Sequence, residues 1–186
     1  MKAQRLGGWM TRFKRCIDAQ VGAAVSEKVI VEPERFDATT DYVQKAEWIR
    51  NAVERLEKEA GKPAAKKVMQ ACGMKCCGPT QHKRVKQFMK ESKSVEELLA
   101  RLNERGIGGG RLELKDRNTI VGGYDRCYCG RVKQTREPFP TDTYCQCSTG
   151  WYKSLFEAAF GRPVKVRLKQ SIIQGADSCE FEIEFD

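Results

Sequence analysis

The stretch "GIGGG" at residues 106–110 separates two regimes of hydrophobic spacing, and no other feature constrains the fold as much. Before it, apolar residues recur every three or four positions, the repeat of a helix with one buried face. After it they alternate, the repeat of a half-buried strand. A chain that switches once in this way is expected to be an α+β domain, with N-terminal helices followed by a mainly antiparallel sheet. Its 186 residues suffice for one domain with a substantial core, so residues 1–186 are read as a single unit with a helical part, 1–106, and a sheet part, 107–186.

In the helical part, Tyr42, Ala46, Ile49, Val53, Leu56 and Ala60 line one face of a helix expected over Asp41 to Ala60, ended by Gly61 and Pro63. A second helix, from about Ala64 to Cys77, carries Val68, Met69, Cys72 and Cys76 along one side and stops at Gly78 and Pro79. Thr80 is expected to cap a third, holding Val85, Phe88 and Met89. Ser94 and Glu97 form a capping box for a fourth, which buries Leu98, Leu99 and Leu102 and ends at Gly106. Residues 10–25 are expected to add another amphipathic helix.

In the sheet part, "RLELKD" and "NTIVGGYDRCYCG" read as a hairpin turning near Asp116 to Asn118, followed by a loop and an inserted helix, "STGWYKSLFEAAFG". The last two strands are "VKVRLKQSII" and "CEFEIEFD". Each alternates an apolar face with a charged one, cationic on the first and acidic on the second, so they are expected to pair antiparallel across "QGAD".

No apolar run reaches the length of a membrane span, and the basic N-terminal "MKAQRLGGWMTRFKRC" lacks the apolar core of a secretory signal, so a cytoplasmic location is expected. That location bears on the nine cysteines, because reducing conditions leave metal binding or catalysis as the usual reasons for clustering. Cys127 and Cys129 form one C-x-C pair, and Cys145 and Cys147 form another after fifteen intervening residues. In an extended backbone, residues i and i+2 point the same way, so two such pairs can close four thiolates around Zn²⁺. A four-cysteine Fe–S cluster is the alternative metal centre. Small buried hydrophobes are the alternative role for the same side chains.

The helical "ACGMKCCG" supplies secondary candidates. Cys72 and Cys76 share a face, while Cys77 is turned away from them. Cys147, just ahead of the inserted helix, has the best electrostatic case for a nucleophile, because a helix N-terminus lowers a thiol's pKa. His82 is the sole histidine, so any histidine-dependent mechanism runs through it unless it is merely a surface residue of "HKRVKQ". Metal-bound water or a carboxylate such as Glu137 is the other route to catalysis. Cys16 has no partner nearby in sequence and reads as helix packing.

The order "YCQCSTGWYKSLFEAAFGRPVKVRLKQSIIQGADSCEFEI" resembles the end of the 4-vinyl reductase domain and its relatives, including 2-amino-thiazoline-4-carboxylate hydrolase-like proteins. The likeness lies in a cysteine before a small-residue, Gly and aromatic helix start, in "GRPV" opening a strand, and in a closing Gly-x-x-x-Cys with alternating apolar residues. It implies a ligand-binding α+β fold with a pocket between helices and sheet. In sensor members of that family a zinc is held near this segment by cysteines and a glutamate, and Cys145 or Cys147 and Cys179 fall on such positions. Where the sensor pattern has glutamate and cysteine, this chain has Leu168 and Ser171, so its ligands must come from Cys127 and Cys129 or from the helical cysteines.

Two functions are therefore expected in order: a zinc-binding, cysteine-rich domain that also takes a small molecule, and a metal- or thiol-dependent hydrolase of a small amide or thiazoline-type ring. A second copy of the chain is kept as a candidate partner. The charge of +9 does not favour nucleic acid, because lysines are interspersed with Glu and Asp and no stacking aromatics interleave with them.

Overall fold

The computed structural model describes residues 6–185; the basic opening residues 1–5 and the final residue 186 lie outside that span. The chain is α+β. Its helices are α1 (Gly8–Val21), α2 (Ala23–Val29), α3 (Pro33–Ala38), α4 (Tyr42–Ala60), α5 (Lys62–Glu91) and α6 (Val95–Glu104). After a glycine-rich turn, Ile107–Gly110, come β1 (Glu113–Asp116), β2 (Thr119–Tyr124), α7 (Gln146–Phe160), β3 (Val164–Gln170) and β4 (Cys179–Phe185). The strands form one antiparallel sheet in the order β1-β2-β4-β3. No helix among the described residues is long and apolar enough to cross a membrane.

Local chemistry accounts for the element ends. Asp41 accepts a hydrogen bond from the Val43 amide at 2.8 Å and starts α4. Ser94 accepts from the Glu97 amide at 3.3 Å, and Glu97 in return accepts from the Lys93 amide at 2.8 Å. The segment expected as one helix over 10–25 is split at Gly22, whose φ of 96° breaks the helical path. Thr80 does not cap: Gly78 (φ 61°, ψ 164°) makes the break within α5, and Pro79 occupies the first position of the resumed helix. Tyr42, expected to face the core, is instead 45% exposed, with the ammonium groups of Lys45 and Lys133 near its ring.

Two clusters of buried side chains fill the interior. One joins α1, α4 and the first half of α5 through Phe13, Ile17, Ile49, Leu56 and Met69. The other packs α6 and α7 onto the apolar sheet face through Leu102, Tyr152, Phe156, Phe181 and Ile183. Helix α5 contributes to both. Val164, Val166 and Leu168 pair with Phe185, Ile183 and Phe181, as the alternation requires, while Lys115, Arg167 and Glu182 form ion pairs on the outer face. Helices α5 and α7 touch backbone to backbone. A Cβ on Gly73 would lie 1.8 Å from the Cys147 carbonyl oxygen, and one on Gly150 would lie 2.0 Å from that of Gln70. Only glycine permits this approach, and it sets where the start of α7 sits.

Candidate functional site

The start of α7 is tied to α5 by polar side chains as well. Lys66 pairs with Asp142 at 2.6 Å, Asp142 accepts from the Gln146 amide group at 2.8 Å, and Thr149 donates to the Gln146 backbone carbonyl at 2.8 Å. The loop between β2 and α7 is held at its far side by the Phe139 amide, which donates to the Ile173 carbonyl at 2.7 Å. These anchors bring six cysteines from four parts of the chain, Cys76, Cys127, Cys129, Cys145, Cys147 and Cys179, onto one cavity of about 540 Å³ between the helices and the sheet.

The second C-x-C pair does not present its sulfurs as an extended backbone would. Strand β2 ends at Tyr124, so Cys127 and Cys129 lie in irregular backbone, and Cys145 is the helical-φ/ψ residue that opens α7. Two residues along a helix turn a side chain by about 200°, so Cys145 and Cys147 diverge. Their neighbours differ accordingly. Cys145 faces Cys179, Cys127 and Cys129, and its thiol is near the Ser171 hydroxyl. Cys147 faces Cys129 and Cys76 and, deeper, Cys16. Among the described residues, no three His, Cys, Asp or Glu side chains stand close enough to share one ion.

Burial dominates the electrostatics. It pushes the Cys127 thiol up to about 11, reinforced by Cys129 and Cys179 and opposed by the Cys129 amide. It raises Cys145 and Cys179 too, against hydrogen bonds from the Ser171 hydroxyl and the Ile172 amide respectively; the latter spans 3.4 Å to the Cys179 sulfur. Cys147 is pushed up to about 12. The helix N-terminus expected to activate Cys147 is present, but loss of solvation outweighs it and leaves a neutral thiol. The sulfur of Cys129 lies 3.1 Å from the Tyr144 hydroxyl.

The other candidates take separate places. Cys77 is buried in the second core beside Ser154, and burial raises its thiol to about 11. Cys72 does not share a site with Cys76: it is buried against Cys16 on α1, whereas Cys76 is exposed at the cavity edge. Cys16, expected as helix packing without a partner nearby in sequence, is indeed buried in the first core and meets Cys72 across the helices. The Cys72 thiol hydrogen-bonds to it and, with Lys75 and Arg12, draws its pKa down to about 7, while Cys72 is held protonated. His82 is neither a loose surface residue nor part of the cavity, for its Nε2 shares a 2.8 Å hydrogen bond with Ser154 Oγ. Glu137 pairs with Arg50 outside the cavity.

A protein-family model described as a family of unknown function (DUF6144) matches residues 12–185. The chain belongs to this family. A search of the curated proteins returned no match. The DUF6144 span contains all nine cysteines and every segment that forms the cavity. Sequence spacing missed Tyr144 and Ser171, which contact the sulfurs of Cys129 and Cys145. Neither belongs to a recognisable ligand pattern, and Ser171 approaches α7 only through the sheet.

Proposed function

We propose that Cys127, Cys129, Cys145 and Cys179, which do not stand within common reach of one ion in this arrangement, draw together around a thiophilic metal centre, zinc in the first instance, and that the rest of the cavity binds a small molecule. One observation carries this reading: four thiols from three separate segments face one another on the wall of a single cavity. Cys179 takes the place that spacing alone gives to Cys147, because Cys145 and Cys147 diverge on α7. Buried thiols that repel one another as thiolates are stabilised in that form by a cation, and the Ile172 amide and Ser171 hydroxyl are donors suited to metal-bound sulfur.

Elemental analysis of protein purified without added metal is expected to find about one zinc per chain, lost in Cys145→Ser and Cys179→Ser and kept in Cys147→Ser. A folded wild type without metal, or full retention in Cys179→Ser, contradicts the assignment.

A second reading is a four-iron cluster, which would take the same four thiolates over a wider span than one ion. Absorbance near roughly 400 nm in anaerobically purified protein separates the two. The hydrolase alternative has less to support it. Cys147 is held neutral, and His82 and Glu137 are engaged outside the cavity.

A further inference from the structure

The cavity has a second set of convergent groups besides its sulfurs. Arg84 on α5, Arg105 at the end of α6 and Arg131 in the loop after Cys129 all line it. Among the described residues, the lining contains no Asp, Glu or Lys. None of the ion pairs among the described residues involves any of these three arginines. Three arginines from distant segments on a wall without a carboxylate make a site of positive potential, with the Arg131 guanidinium resting over the Trp9 ring, 5.7 Å from its centroid. The amide group of Gln81, also on the wall, has its Oε1 buried with no hydrogen-bond partner. A buried amide oxygen left in this way accepts only, so it calls for a hydrogen-bond donor on the ring portion of a ligand and not for a phosphate oxygen.

We propose that the cavity recognises a small molecule carrying a phosphate group on a planar ring. The guanidinium fork binds phosphate oxygens in pairs, and three of them supply more positive charge than a single carboxylate requires. Trp151 and Tyr124 offer aromatic surface on the same wall, with Tyr128, 56% exposed, at the rim. The glycine-rich turn after α6 closes another side. A Cβ on Gly109 would sit 1.9 Å from the Gly123 carbonyl oxygen, so this turn lies against β2 with no side chain to occupy the space. A volume of about 540 Å³ falls within the usual range for small-molecule sites. This proposal rests on the preceding reading only in taking the cavity as a ligand site; it does not require the metal.

The test is calorimetric titration of the full chain, as purified, with phenyl phosphate, inorganic phosphate and benzoate in near-physiological salt, with metal content measured on the same samples. Phenyl phosphate is expected to bind saturably and at least about tenfold more tightly than benzoate. Arg105→Gln and Arg131→Gln should each weaken it by about tenfold or more, and Arg105→Lys by less, because the charge remains while the fork is lost. Lys165→Gln, on the outer sheet face, should leave binding unchanged. Absence of binding, equal affinity in the arginine variants, or benzoate binding as tightly as phenyl phosphate overturns the proposal. Arginine-dependent binding to a chain that carries no metal supports the phosphate site and removes the metal reading; a metal-loaded chain that binds no phosphate does the reverse.

Discussion

At the scale of single residues, the chemistry turns on buried thiols that have lost their solvation. Burial and mutual repulsion keep Cys127 and Cys145 protonated, and burial does the same for Cys147, so in the absence of metal these are poor nucleophiles. The consequence for stability has a definite sign. Thiols in the unfolded chain titrate near 9.0, whereas Cys77 and Cys127 are raised to about 11 and Cys147 to about 12 in the fold. At these three thiols the folded chain retains protons that the unfolded chain gives up, so their contribution to stability is full below about pH 9 and is lost as pH rises through 11 to 12, while Cys16, drawn down to about 7, contributes in the opposite direction. Thermal melts of metal-free protein should show Tm falling by roughly 5 °C between pH 8 and pH 10.5, with a shallower fall for Cys147→Ser. A flat profile contradicts the burial of these groups. Metal affinity has the opposite slope, because binding releases protons: it should rise with pH between 6 and 8.

At the scale of elements, the α5–α7 contact places the site. A methyl group at Gly73 meets the Cys147 carbonyl, so Gly73→Ala should cost about 3 kcal/mol or more in chemical unfolding and displace both Cys145 and Cys147. Gly130→Ala, in the cavity loop, has no atom within 4 Å of the added carbon and should be close to neutral. Equal effects of the two substitutions would mean that the helices can move apart freely. The helices and the closing hairpin are legible in the sequence because each buries one periodic face: Ile49, Val53 and Leu56 on α4, and Phe181, Ile183 and Phe185 on β4. Helices α2 and α3 are too short for periodicity to show. The cysteine pairs were legible as candidates but not in their pairing, since spacing cannot tell an extended C-x-C from one that starts a helix. The approach of Cys179 to Cys145, and of Cys16 to Cys72, depends on tertiary packing between segments far apart in the chain.

At the scale of the whole molecule, one cavity joins the helical part to the sheet, and the proposed metal centre would link the loop before α7 to β4. Metal removal should therefore loosen the loop rather than the cores. Limited trypsin digestion with and without a strong chelator is expected to show faster first cuts after Arg131, Lys133 and Arg136 in the stripped protein, with α5 and the sheet protected, and a Tm lower by several degrees. Unchanged cleavage would detach the loop from any such centre. The assembly of four sulfurs from separate segments around one centre is the claim on which the functional account depends. X-ray absorption at the metal edge of the protein as purified tests it most directly. The account predicts a first shell of sulfur alone, at about 2.3 Å for zinc, reduced by one sulfur in Cys179→Ser and intact in Cys147→Ser. A shell of nitrogen and oxygen, or one that Cys179→Ser leaves unchanged, would contradict it.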